Sequence, residues 1–376
     1  MTESPLRVLH LNTERGYRGG EIQTLLLARE LRKRGHVNVL AVPRGTVLAD
    51  HAAQDGFDTH AFPMRGEWDV AAALRLRALV RGFRPHVLHA HTPHAGALAL
   101  LARMGGRSPK IVLSRRVSVP IKGNFLSRLK YKSADAVLCV SQAVLGGLLA
   151  AGLPSEKLFL ARSSTNFEAL IPSASRSEIR ARLGIPPASF VVGNVAHFDR
   201  HKGQRRLLEA FAVFCRKRQG AESSLLLAGK GPLLEECRRY AAAVPDLAGR
   251  VFFAGESKIV ADMYAVMDVF FLSTISPMEG WSGVLREAMG LGLPAIATDQ
   301  PSNREAVSHG ETGWLVPPDD AAAWAQAMAA MASDPALRLR LGEAGKLFAR
   351  RFTVEAMADE TLRCYRSVLA RGGHEA

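Results

Sequence analysis

The sequence predicts an α/β protein built from two doubly wound parallel sheets, and three observations carry that prediction. Short continuous apolar runs alternate with helix-length amphipathic segments; the alternation stops at a small-residue stretch and then begins again; and 376 residues suit two domains at roughly 150 residues each. A strand buried on both faces has no polar side to show. Uninterrupted Val, Leu and Ile runs separated by helices therefore indicate a parallel sheet covered on both faces. With 48% hydrophobic and 22% charged residues, the composition excludes collagenous and disordered classes.

In chain order, the first strands are expected at 7–11, 37–42, 87–91, 110–114 and 136–140, with helices such as 21–34 and 70–84 between them. In 70–84 the helical period places Leu76, Leu79, Val80 and Phe83 on one face and Arg77, Arg81 and Arg84 on the neighbouring one. The uncharged stretch 136–155 is long enough to raise a membrane span. Ser141, Gly146, Gly147, Gly152 and Pro154 divide it instead into a strand, a Ser N-cap and a Gly-ended helix. Residues 171–177 read as a linker. Strands resume at 190–195, 225–229, 251–255, 269–272 and 294–298, then helices fill 321–351, and the helix after Thr353 has length to spare. The expected domains are 1–170 and 171–355, with 356–376 crossing back to the first. Glu3 and Arg7 leave no apolar stretch for a secretory leader. Cys139, Cys215, Cys237 and Cys364 form no C-x-x-C pair, so no disulfide framework or zinc module is expected and a reducing, cytoplasmic setting fits best.

The net charge is +14, from 49 basic and 35 acidic residues, and nearly all of it is local. Residues 70–134 hold thirteen Lys and Arg, among them Arg77, Arg81, Arg84, Arg115, Arg116 and Lys122, and no Asp or Glu. Such a belt suits an anionic partner, whether phosphorylated substrate, acidic lipid or nucleic acid, and a merely solvated face accounts for it equally well. A nucleic-acid-binding protein is the poorer reading, because the belt lacks interleaved aromatics and any zinc-finger or RNP signature.

The segment 276–298 carries the most chemistry. It follows an apolar strand, so it is a strand-loop-helix unit at the ligand edge of a parallel sheet. Gly280 and Gly283 argue against a continuous helix. With a helix start near Ser282, Glu279 stays in the loop and Glu287 projects from the first or second turn. The N–H groups of Ser282, Gly283 and Val284 then point outward between the two carboxylates. An anion at the helix N-terminus with hydroxyls on either side fits this pattern, which is what a nucleotide-sugar offers. Gly19 and Gly20, after the first strand, permit close backbone approach to a phosphate or sugar, or form a tight turn. Lys202 offers a compact charge for a diphosphate. His89, His91 and His94 suggest metal ligands at first sight, but no carboxylate or thiolate completes a set, and no metal or cofactor is expected.

Here the chain resembles the retaining GT-B glycosyltransferases of family 4. Their Glu-x7-Glu signature, with the following Ala-Met, Gly-x-Pro and Thr-ended strand, is similar to Glu279 through Thr298. Gly19-Gly20-Glu21, Arg34-Gly35-His36, Val140-Ser141-Gln142, Lys202-Gly203, the Gly229–Pro232 loop and Gly310-Glu-Thr-Gly313 fall in family order along nearly the whole chain. The resemblance implies two Rossmann-like domains facing a cleft, acceptor in the first and nucleotide-sugar in the second. It assigns donor-sugar hydroxyls to Glu279, ribose to Glu287, diphosphate to Lys202 and the sugar's reacting end to His94. Where the family often has an Arg five residues before the Lys, this sequence has His197, with Arg200 nearby to compensate; Thr92 and Asn166 replace acidic residues. The implied activity is metal-independent, retaining transfer, expected from a UDP-sugar to a glycan or lipid-linked, lipopolysaccharide-type acceptor of anionic character, with peripheral contact to an anionic membrane and no nucleic acid. The competing readings are a nucleotide-sugar epimerase or hydrolase of the same architecture and an inactive nucleotide-sugar-binding protein.

Overall fold

The computed structural model describes residues 4–371 apart from 68, 105, 107, 122–124 and 218–221. The chain divides into two compact units, one running to Ser164 and resuming at Phe352, the other covering Thr165–Arg351. The division falls a few residues before each boundary expected from sequence. Residues 171–175 do not link two bodies but are tied to the second unit, where the Ser173 N–H and hydroxyl donate to the two carboxylate oxygens of Asp262 at 2.6 and 2.7 Å.

The first unit holds a parallel seven-stranded sheet formed by β1 (Arg7–Leu11), β2 (Val37–Val42), β3 (Asp58–Ala61), β4 (Val87–Ala90), β5 (Lys110–Arg115), β6 (Ala136–Cys139) and β7 (Leu158–Leu160), in the order β3-β2-β1-β4-β5-β6-β7. Every residue of β4 and β6 is buried, as expected where helices cover both faces. The apolar stretch after Ala136 resolves into β6, a Ser141 cap whose hydroxyl accepts from the Val144 N–H, and the helix Gln142–Ala150. Among the described residues no helix is long and apolar enough to cross a membrane. The last helix, Val354–Ala370, starts at a Thr353 cap and belongs to this unit. Its Met357, Leu362, Tyr365 and Val368 are buried with Val8, Leu27, Leu31, Val112 and Leu138.

The second unit holds a six-stranded sheet of β8 (Phe190–Val195), β9 (Ser223–Ala228), β10 (Val251–Gly255), β11 (Val269–Leu272), β12 (Ala295–Thr298) and β13 (Trp314–Val316), in the order β10-β9-β8-β11-β12-β13 and parallel throughout. Phe211, Phe214, Phe271, Trp324 and Met328 fill the core on one side. The Trp324 indole N–H donates to the Pro317 carbonyl at 2.6 Å, which removes the polar cost of burying that ring.

Strands β3, β7 and β13 were not among the expected ones, and all three lie at sheet edges. An edge strand has one neighbour and needs less apolar character: β3 reads Asp-Thr-His-Ala and is at most half-buried.

The terminal helix makes a stability prediction. Leu362 is 2% exposed, so Leu362→Ala should cost about 2–5 kcal/mol through lost burial and a residual cavity. A urea titration of the variant should show the first unit unfolding at a lower midpoint.

Candidate active site

The second sheet reverses its winding between β8 and β11, since β9 and β10 continue outward from one and β12 and β13 from the other. Open parallel sheets bind ligands at the carboxyl ends of strands flanking such a point. The loops leaving β8 and β11 carry Lys202 and Glu279. They are stitched together: Ser273 Oγ donates to the Lys202 carbonyl at 2.7 Å, and the Ile275 N–H donates to the His201 carbonyl at 3.0 Å. Gly203 sits at φ +70°, where a Cβ would lie 2.1 Å from the Ser273 carbonyl oxygen. No other residue permits this closeness.

The stitching sets Lys202 Nζ 2.6 Å from Glu279 Oε2, which also accepts from the Thr274 hydroxyl at 3.1 Å. The two side chains retain only 19% and 14% of their exposure, so the pair is largely desolvated. Burial alone pushes the Glu279 carboxyl upward, but the Lys202 charge and the hydrogen bonds outweigh it, and the net shift is downward. Glu279 is thus held ionised, an acceptor for hydroxyl donors.

Downstream, Ser282 is the N-cap of the helix Gly283–Gly290. Glu287 stands on its second turn and accepts from the Tyr264 hydroxyl at 2.7 Å. Burial pushes the Glu287 carboxyl upward despite that bond and the nearby Arg286. Arg286 is 2% exposed, and its Nη1 donates to the carbonyls of Trp281 at 3.3 Å and Ser282 at 3.0 Å. Burial lowers it to about 10, opposed by the charges of Glu287 and Glu279. The loop between the two carboxylates is therefore gripped from inside by a guanidinium. Gly280 and Ser282 are buried, whereas Gly283 and Val284 stay partly accessible. His197 is half-buried and its carbonyl accepts from Gln204 Nε2 at 2.9 Å, while Arg200 is exposed.

In the first unit Gly19 and Gly20 are not a loop but the opening turn of the helix Gly19–Lys33, closed by a capping box in which the Arg18 N–H donates to Glu21 at 2.9 Å. His94 is exposed on the first turn of the helix Pro93–Arg103. Thr92 caps that helix, accepting from the Ala95 N–H at 3.1 Å.

The basic belt is less free than its sequence suggests. Arg103 and Lys110 pair with Asp135, and Lys130 pairs with Glu67 at 3.1 Å; both acids lie just outside the acid-free window. Arg115, expected among the acceptor or membrane residues, is 8% exposed and is bonded to the Tyr131 hydroxyl at 2.6 Å and to the Val119 carbonyl. It is a packing residue, because its position closing β5 turns it inward. Arg81 and Arg84 are exposed and Arg77 partly so. Lys122 lies outside the described residues.

Two family models match the chain, "Glycosyl transferase 4-like domain" over residues 18–161 and "Glycosyl transferases group 1" over 175–348. The chain belongs to the GT-B glycosyltransferases of the family-4 type. It is 27% identical over 309 residues to the putative glycosyltransferase EpsD of Bacillus subtilis, covering 77% of this chain and 80% of that one. It is 27% identical over 292 residues to the lipopolysaccharide core biosynthesis glycosyltransferase LpsE of Rhizobium meliloti, covering 77% and 78%. Among solved structures it resembles Anabaena HepE in complex with UDP, at a TM-score of 0.84 and 19% identity over 96% of this chain and all of that one.

In this glycosyltransferase the structure brings Lys202, Glu279, Gly283, Val284 and Glu287 to one sheet edge. Sequence reasoning missed Tyr264 and Arg286. Tyr264 gives no local signal, being distant in the chain. Arg286 does: an Arg beside Glu287 in a helix whose other residues are all small or apolar is costly to bury unless something needs it. It also missed His10, which joins His89 and His91 in a buried cluster.

The Lys202–Glu279 pair makes the transferase pH-sensitive in a defined direction. A carboxyl depressed by folding contributes stability above its unfolded pKa of 4.5 and loses it as pH falls through the folded value. Glu279→Gln should therefore flatten the acid limb of stability below about pH 4.5, read as urea midpoint against pH.

Proposed function

We propose that this glycosyltransferase takes a nucleoside-diphosphate sugar, a UDP-sugar in the first instance, in its second unit and transfers the sugar with retention to an anionic glycan or lipid-linked acceptor held by the first. The observation that carries the reading is the Lys202–Glu279 ion pair beside the N-terminus of the helix Gly283–Gly290. Lys202 and the helix N–H groups meet the diphosphate; Glu279 and Glu287 accept from sugar and ribose hydroxyls. The bound UDP of the HepE relative supports the choice of nucleotide, and the lipopolysaccharide role named for LpsE supports the acceptor class.

The chemistry requires charge stabilisation more than proton transfer. As the bond from the anomeric carbon to phosphate oxygen breaks, negative charge collects on the diphosphate, where Lys202 and the helix terminus oppose it. The acceptor hydroxyl attacks from the same face, and its proton passes to the departing phosphate oxygen. No protein base and no metal take part in the proposed step. The family resemblance gives His94 the reacting end of the sugar, with His197 and Arg200 proposed to flank the diphosphate in the second unit.

Calorimetry with UDP tests the donor assignment. Lys202→Ala and Glu287→Ala should each weaken UDP at least tenfold, about 1.4 kcal/mol. Glu279→Gln should leave UDP binding equal or tighter, because it frees Lys202 from its present partner. Unchanged affinity in the Lys202 variant overturns the reading, as does UDP-sugar turnover that is abolished by EDTA and restored by a divalent ion.

Exposed Leu74 and Val70 lie on the same helix as Arg77 and Arg81, at 61% and 64% exposure. Apolar residues beside bases on one open helix surface support peripheral attachment to anionic membrane, at roughly 1 kcal/mol per close base. Replacing Arg77, Arg81 and Arg84 should reduce sedimentation with anionic liposomes while UDP binding stays unchanged. Salt should act like the mutation, since the Debye length is about 8 Å at physiological ionic strength. Wild type that ignores such liposomes at low salt refutes the attachment.

A further inference from the structure

The first sheet also reverses its winding, between β1 and β4, and the carboxyl edge there carries a group that the donor chemistry does not use. Arg116 follows β5, the neighbour of β4, and remains partly accessible. Its Nη1 donates to the His91 carbonyl at 3.1 Å and its Nη2 to His91 Nδ1 at 3.2 Å. A guanidinium has five N–H donors, so three are left without a partner among the described residues. No carboxylate lies within 4.0 Å of it among the described residues; Glu21 is nearby, but its carboxylate accepts from Asn12 and from the Arg18 N–H.

The surroundings fix the guanidinium without neutralising it. An Arg can only donate, so His91 Nδ1 accepts and His91 carries its proton on Nε2, which donates to His10 Nδ1 at 3.0 Å. His10 in turn donates from Nε2 to Asn38 Oδ1 at 3.0 Å, and Asn38 donates to the His36 carbonyl at 2.9 Å. His89 bonds to the Tyr365 hydroxyl and the Ser114 hydroxyl at 2.6 and 2.8 Å. Each ring nitrogen of the three histidines is thus engaged in a neutral imidazole, and protonating His91 or His10 would set N–H against N–H. Burial pushes all three imidazoles down, His10 to about 4. The His91 and His10 N–H groups point away from Arg116, which makes no ion pair within 4.0 Å among the described residues, Glu21 acting on it only from farther off. Across the edge, Nη1 lies 4.0 Å from the place of a Cβ on Gly20, in the first turn of the helix Gly19–Lys33, where unbonded N–H groups add positive potential.

We propose that Arg116 is an anion-binding residue that recognises a phosphate or carboxylate on the acceptor, its free N–H groups forming a bidentate fork while His91 and His10 hold it in place. This deepens the acceptor half of the proposed function and rests on the reading that the first unit takes the acceptor. Of the belt's bases, Arg103, Lys110 and Lys130 are paired and Arg115 is packed inward. Arg116 differs in being held by His91, largely buried, and without an ion pair within 4.0 Å among the described residues.

The test titrates the full chain with inorganic phosphate and follows the imidazole nitrogens of 15N-histidine-labelled protein, with and without saturating UDP. Phosphate should shift the His91 signals saturably, to the same extent in the presence of UDP, and Arg116→Gln should weaken the response at least tenfold. Arg116→Lys keeps the charge without the fork and should fall between the two; melting temperatures verify that the variants fold. The assignment is overturned if phosphate leaves His91 unmoved, or if both variants retain wild-type affinity. It is also overturned if UDP abolishes the shift, which would transfer Arg116 to the donor diphosphate. Failure of UDP to bind at all would sink the proposed donor instead, and the titration without UDP would still decide Arg116.

Discussion

The ion pair between Lys202 and Glu279 is the constraint around which the second unit is arranged. Two opposite charges with less than a fifth of their exposure remaining are costly to remove from water, and a buried pair of this kind adds little to stability over an apolar replacement. Its retention is better explained by what it keeps ready. Each partner neutralises the other in the free protein, so neither needs an additional counter-charge, and in the proposed function each meets a different part of one ligand. Everything nearby serves that positioning: Gly203 lets the β8 loop close on Ser273, the Ser273 hydroxyl holds the Lys202 backbone, and Thr298 at the end of β12 donates to the Thr274 carbonyl.

The fold was readable because parallel sheets write themselves plainly into sequence. Ten strands among the described residues appear as apolar runs of four to six residues, most of them buried on both faces. The three that were not expected, β3, β7 and β13, are edge strands: β3 is polar and at most half-buried, while β7 and β13 are apolar but only three residues long. Helix starts were legible where a side chain caps them, as at Ser141 and Thr353. The helix Gly19–Lys33 escaped at its N-terminus because two glycines lead it, residues with poor helical propensity; the Glu21 capping box starts it there all the same.

The site was readable in its local half. Glu279, the helix start at Ser282 and Glu287 lie within nine residues of one another, so spacing alone orders them. What spacing does not contain is contact between distant segments. Tyr264 reaches Glu287 from another helix, and His10 meets His91 across two strands that are neighbours only in the folded sheet. The basic belt shows the same limit in reverse: a charge count over a window omits the acids just beyond it, and Glu67 and Asp135 occupy those flanks.

The two sheets solve opposite electrostatic problems at their switch points. In the second, the fixed groups are two cations, Lys202 and Arg286, and two carboxylates, of which one is driven below and the other above its ordinary pKa. Arg286 donates to two carbonyls of the loop, and within a desolvated site its charge also acts over several ångströms, favouring anions and the ionised forms of Glu279 and Glu287. At the corresponding edge of the first sheet Glu21 is engaged by Asn12 and the Arg18 N–H and makes no ion pair with Arg116, and the histidines are locked neutral by their hydrogen bonds. One edge thus pairs its charges directly while the other holds Arg116 without an ion pair among the described residues, an asymmetry that fits the proposed pair of ligands, the second bringing its own negative charge.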